Sequence, residues 1–187
     1  MDDTASLRHH LTKMTKIPPP DRPAKSIRKV PFTDSSSLLD DPATLHAKMA
    51  EDSFLYFKNF LPAGPIMNLR SEIFGVLERL GLREPGLPSS DGSILLDRLN
   101  AVPDEEMRLD IGVSQDAYQA VQKLESFHTL PHHPRLLALF RSLFGTDVLV
   151  HPRHIGRMIT GHRSMVPTPP HQDFPLIQGT VNTWTCW

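Results

Sequence analysis

The chain is poor in cysteine: Cys186 is its one thiol, so no internal disulfide framework can form. A lone thiol also points to a reducing compartment and an expected cytoplasmic location. Long apolar runs are missing too. No stretch approaches the 18 residues that a membrane helix needs, and the N-terminus, with Asp2 and Asp3, has no signal-peptide core. The last residues, Thr185-Cys186-Trp187, are no peroxisomal address. Neither sign of charge dominates: 20 Lys+Arg against 21 Asp+Glu leave a formal net charge of -1. Without a long-range positive field, nucleic acid is not an expected partner. What remains is a chain of 187 residues, 39% hydrophobic and 22% charged, enough for one ordinary domain with a packed core.

Residues 1–42 read as a disordered, proline-rich arm. Ile17-Pro18-Pro19-Pro20-Asp21-Arg22-Pro23 favours extended polyproline conformation. Lys13, Lys16, Arg22, Lys25, Arg28 and Lys29 make the arm locally basic. The domain is expected over residues 43–187. Asp41-Pro42 starts a helix, with an N-cap oxygen followed by proline at the first helical position. Phe54-Leu55-Tyr56-Phe57 reads as a buried strand. Between Pro62 and Leu80, Ile66, Leu69, Ile73, Val76, Leu77 and Leu80 recur at helical spacing, and Gly81 ends the run. Residues 82–113 read mostly as loop. Ser114 caps a helix to about Phe127, and Pro134 opens another that Gly145 stops. Beyond Gly145 the period becomes two, with strands expected at Val148 to Val150, His154 to Ile159, His171 to Ile177 and Thr180 to Trp187. Helices first and strands later is the order of an α+β domain.

Ten histidines invite a search for a metal site. His9 and His10 lie in the arm. Pro131 separates His128 from His132. His151 and His154, three apart on an expected strand, point to opposite faces and cannot share an ion. Each reads as a surface or singly hydrogen-bonded imidazole. His171 and Asp173 differ, because residues two apart on a strand project from one face, about 7 Å apart at Cα. An imidazole and a carboxylate so placed can take neighbouring positions on one metal, as in the two-histidine, one-carboxylate triad of non-haem Fe(II) oxygenases. The spacing by itself is not decisive. With 14 aspartates, about 0.75 such pairs arise by chance, so the flanking residues must carry the argument.

Those flanks are Thr168-Pro169-Pro170-His171-Gln172-Asp173-Phe174, then Gln178-Gly179-Thr180, then Trp184-Thr185-Cys186-Trp187, preceded by His151-Pro152-Arg153-His154-Ile155-Gly156-Arg157. Together they resemble the phytanoyl-CoA dioxygenase family. Phe54-Leu55-Tyr56-Phe57-Lys58-Asn59-Phe60-Leu61-Pro62 is similar to that family's strand-then-helix opening, so the resemblance covers about residues 43–187. It implies N-terminal helices packed on a double-stranded β-helix, or jelly roll, with Fe(II) as metal and 2-oxoglutarate and O₂ as cosubstrates. It also implies hydroxylation of a small-molecule substrate while 2-oxoglutarate becomes succinate and CO₂. By match to the motif, His171 and Asp173 are the first two iron ligands, and Trp187 falls beside the cosubstrate. Arg157, like Arg153, offers positive charge to a carboxylate on electrostatic grounds alone.

The chain departs from the family pattern at one place. The family's third ligand is a histidine on a late strand, followed by an arginine that pairs with 2-oxoglutarate. No histidine or arginine follows Asp173 here. Four strand-like stretches after Gly145 stand against the eight of a jelly roll, and four more need roughly 40 residues. The chain is therefore expected to be the N-terminal part of such a domain, whether an incomplete reading frame, a pseudogene product or a cut piece. Two rivals remain open. One is an inactive homologue that binds a partner through an open sheet edge. The other is a Zn²⁺ hydrolase that uses His171 and Asp173 with His151, His154 or His162 in tetrahedral geometry.

Overall fold

The computed structural model describes residues 31–166, 168, 169, 171, 173 and 183–187. Asp34–Trp187 is one compact unit. Residues 1–30, most of the expected arm, lie outside the described residues. The fold begins earlier than the expected residue 43. Ser35 is fully buried and its N–H donates to the Tyr56 carbonyl at 2.7 Å. Asp34 forms an isolated parallel bridge with Tyr56, and its carboxylate accepts from the Ser36 and Lys58 backbones.

The helices follow their local signals. α1, Pro42–Asp52, has proline in its first turn and Asp41 as N-cap, accepting from Thr44 N–H at 3.1 Å. α2 spans Ala63–Arg79, and the chain leaves it through Gly81 at φ +67°. α3, Leu96–Asn100, lies within the stretch expected to be loop. β1, Met107–Arg108, and β2, Val113–Ser114, form an antiparallel pair with Met107 opposite Ser114 and Arg108 opposite Val113. α4 is Gln115–Val121, capped by Ser114. α5 is Glu125–Thr129. α6, Pro134–Phe144, is capped by His133 and ends on Gly145 at φ +65°.

Four expectations change. The helix from Ser114 does not run to Phe127. It tightens after Val121, where Lys123 and Leu124 donate to the carbonyls three residues back, and the Gln122 carbonyl is taken by the His128 ring. Phe54 to Phe57 forms no strand among the described residues: Tyr56 makes an isolated bridge with Asp34, and Phe54 is exposed. Residues 82–113 are not mere connection, because Leu82, Leu99, Met107, Ile111 and Val113 are all buried there. Finally, Val148 to Val150 and His154 to Ile159 form no strand. Their polar groups are met singly, by Met158 N–H on the Ile111 carbonyl at 2.9 Å and by the Gln122 side chain on the His154 carbonyl at 3.2 Å. Of the last two expected strands, residues 172, 174–177 and 180–182 lie outside the described residues, and His171, Asp173 and residues 183–187 lie in no strand.

The apolar stripe of α2 is accordingly covered by the short β1–β2 pair and by the neighbouring helices and loops. Leu77 packs with Leu82, Leu99, Met107, Ile111, Val113 and Ala117. Val76 packs with Val121 and Phe127. Leu80, expected to be covered, is 41% exposed. A third cluster joins Leu45 of α1 to Leu139 and Leu143 of α6, with Trp184 against it. Among the described residues β1–β2 is the only sheet, and no helix is long and apolar enough to cross a membrane.

A buried charge shapes the turn after α2. Arg83 is 1% exposed and pairs with Glu78. Its Nη2 donates to the carbonyls of Leu87, Pro88 and Asp91 at 3.1, 2.9 and 3.0 Å, and its guanidinium lies 4.4 Å over the Phe74 ring. A loop of prolines and glycines leaves carbonyls without ladder partners, and a five-donor fork satisfies several together.

Gly112 tests how tightly the later chain is held. Its φ is +92°, and an added Cβ would stand 2.0 Å from the Met158 carbonyl oxygen. Gly112→Ala is expected to destabilise by about 3 kcal/mol or more in urea unfolding. Gly145→Ala, at φ +65° with nothing within 4 Å, should lose only about 1 kcal/mol. Equal losses would show that the Met158 contact contributes nothing.

Candidate metal centre

His171 and Asp173 do approach one another. Neither lies in a helix, and His171 Nε2 stands 3.3 Å from Asp173 Oδ1, with side chains 32% and 26% exposed. The other imidazole nitrogen decides the chemistry. Nδ1 lies 2.8 Å from the Pro169 carbonyl. A carbonyl only accepts, so Nδ1 carries the proton and the ring is held by its back edge. Nε2 then turns toward a carboxylate oxygen. Two lone pairs facing at that distance require a positive charge between them, either a proton on Nε2 or a cation. Two cis ligands on a metal with bonds near 2.1 Å stand about 3 Å apart, close to the separation seen. A histidine whose far nitrogen donates to a backbone carbonyl is also the usual arrangement behind a metal.

Asp173 is steadied from a second direction, since the Thr185 hydroxyl donates to its Oδ2. This contact brings the segment 183–187 to the candidate ligands. Two residues beyond Thr185, Trp187 is 89% exposed, with the Arg157 guanidinium 5.5 Å from its ring centroid. Arg157 and Trp187, chosen from the sequence for different reasons, thus form one cation–π pair. Arg157 Nε is buried without a hydrogen-bond partner among the described residues, so that cation is held mainly by the indole. Thr185 and the Pro169 carbonyl were not singled out in the sequence. No spacing rule marks a hydroxyl twelve residues from its carboxylate.

The third ligand is a different matter. Among the described residues no group of three or more His, Cys, Asp or Glu side chains could hold a metal. His151, His154 and His162 therefore do not complete a site with His171 and Asp173, which removes the arrangement that the zinc reading needed within the described residues. His162 is 4% exposed and accepts from Ser164 N–H through Nδ1 at 3.1 Å, serving its own loop. His151 likewise accepts from Arg153 N–H. His128 and His154, read from the sequence as separate, have ring centroids 5.4 Å apart, with Phe127 edge-on to both. Chain folding alone brings them together, and no local pattern marks such a pair.

The residues present thus fit two positions of a metal. Comparison with known proteins adds no identity: no family model, no curated protein and no solved structure matches the chain.

The tautomer is directly measurable. Nitrogen-15 correlation spectra of His171 in metal-free protein should show Nδ1 protonated, and adding Zn²⁺ or Co²⁺ should perturb Nε2 first. A proton on Nε2 alone would contradict the Pro169 contact and the direction of the candidate lone pair.

Proposed function

We propose that residues 43–187 supply part of a non-haem Fe(II)/2-oxoglutarate-dependent dioxygenase of the phytanoyl-CoA dioxygenase type, built on a jelly roll of which this chain provides the N-terminal portion. The observation that carries this reading is the His171–Asp173 pair, with Nε2 turned to the carboxylate and Nδ1 held by Pro169. Its support is the resemblance of the flanking segments together with that pairing. His171 Nε2 and Asp173 Oδ1 would hold the iron, the Pro169 carbonyl would orient the imidazole, and Thr185 would fix the carboxylate. Arg157 offers the positive charge for the carboxylate of 2-oxoglutarate, and Trp187 the flat apolar wall beside it. When bound, iron, 2-oxoglutarate and O₂ would supply the oxidising power to hydroxylate a substrate C–H bond, with 2-oxoglutarate converted to succinate and CO₂. The third ligand and the second carboxylate-binding cation must come from outside the described residues. The substrate is a small molecule, and the single thiol suits a cytoplasmic setting.

A second reading has its own support. Leu149, Ile155, Ile159 and Val166 are 89, 52, 83 and 54% exposed. Such a run of apolar side chains suits an inactive homologue that binds a protein partner.

Succinate formation separates the two. After anaerobic purification and Fe(II) loading, the 187-residue chain should release no succinate from 2-oxoglutarate above an Fe(II)-only control. Two ligands hold the ion poorly, and an open pocket admits water. In a version extended by the histidine and arginine of the family pattern, turnover should appear and fall about 100-fold or more in His171→Ala. Undiminished turnover in that variant would remove His171 from the site. His171-dependent turnover by the unextended chain would mean that another histidine already completes it.

A further inference from the structure

The segment from His151 to Met158 lies against α4 and α5 around one histidine. Both ring nitrogens of His154 are sealed from solvent, and neither makes a hydrogen bond of normal geometry among the described residues. On one side of the ring is Phe127, edge-on at 6.0 Å; on another is His128 at 5.4 Å. The His128 ring cannot accept from His154 through Nε2, because that nitrogen donates to the Gln122 carbonyl at 2.7 Å. Gln122 holds the segment as well, its side-chain amide donating to the His154 carbonyl at 3.2 Å. Gly156 follows, close enough that an added Cβ would stand 3.2 Å from the Phe127 ring, and Met158 completes the cluster with Val76, Val121 and Phe127.

We propose that His154 is an acid-sensitive latch: neutral, it lets residues 154–158 seat on Phe127 and Gln122, and protonated, it drives them off. A protonated imidazole has two N–H donors and one full charge; against these the site sets only the His151 backbone, and neither nitrogen makes a hydrogen bond of normal geometry among the described residues. The ionisable groups that act on it are of one sign. His128 faces it from α5, His132 acts from the turn after α5, and His151 from its own segment. No carboxylate among the described residues offsets them. Glu72, the acid of α2 that reaches α5, is engaged by Ser126 and Asn68.

The direction of the pH effect follows. Burial, then His128, His132 and His151, lower the proton affinity of His154 below its ordinary value of 6.5, while the His151 backbone opposes the shift in smaller measure. The released segment therefore binds a proton more readily than the seated one. The latch is complete above pH 6.5 and weakens as pH falls below it, by up to about tenfold in the seated-to-released ratio per pH unit until the seated value is reached. Arg157 lies on the same segment, so release also disturbs its stack on Trp187. The latch does not depend on the dioxygenase reading, since none of its groups is a proposed iron ligand.

The test is hydrogen exchange at the Met158 amide, which donates to Ile111, between about pH 7.5 and about pH 5, corrected for the intrinsic exchange rate. Protection in the native protein should fall as much as about tenfold per pH unit below 6.5. In His154→Leu, which keeps an apolar side chain and cannot titrate, protection should stay flat. His128→Gln removes one like charge and raises the seated value, so the fall should end sooner and the total loss of protection should be smaller. A proton-resonance titration of His154 in the native protein gives an independent reading that needs no variant to fold. A midpoint at or above 6.5, or the same pH profile in native protein and His154→Leu, overturns the proposal.

Discussion

The peptide around Met158 meets the turn between β1 and β2 at a distance only glycine allows. The Met158 amide donates to the Ile111 carbonyl, the Thr160 hydroxyl donates to the Gly112 carbonyl at 2.5 Å, and the Val166 amide reaches the Leu109 carbonyl at 3.3 Å. Three contacts, to the carbonyls of Leu109, Ile111 and Gly112, tie a segment without regular structure to a turn beside buried side chains. Ile111 and Val113 are each 1% exposed, under Leu77 and Leu99. The core of the helical part thereby places the later chain. Arg157 stands next to the pinned Met158, and the candidate centre draws on segments on either side of residues 174–182.

That arrangement also explains why so few regular strands are needed to locate the segment. In a ladder each strand supplies partners for the next. Here the partners are a turn, a glutamine side chain and a hydroxyl. The design leaves apolar side chains such as Leu149 and Ile159 in water. It also leaves one face of the Trp187 ring without the guanidinium that covers the other.

How far the molecule was legible in its sequence depended on the reach of each signal. Asp41-Pro42, Ser114, Pro134 and Gly145 act on their immediate neighbours, and all four mark helix ends in the structure. Residues 82–113 hid their burial because the five buried apolar side chains there follow no single period, set instead by a short helix, a turn and two-residue strands. The alternation after Gly145 expressed a preference for extended chain, but pairing requires a neighbour, and in the described residues that neighbour is the β1–β2 turn. His171 and Asp173 were readable because a single residue separates them. The His128–His154 pair was not, because only the packing of α5 against the later chain creates it.

In the proposed site His171 and Asp173 hold one divalent cation beside Thr185 and Trp187. The most direct measurement is paramagnetic relaxation by Mn²⁺, a hard cation that takes imidazole and carboxylate ligands without redox chemistry. Titrated into the metal-free protein, Mn²⁺ should first broaden the resonances of His171, Thr185 and the Trp187 indole. His154 and His162 should stay sharp, and a variant carrying both His171→Ala and Asp173→Ala should lose the effect. Broadening that begins elsewhere, or that survives in the double variant, would contradict the claim.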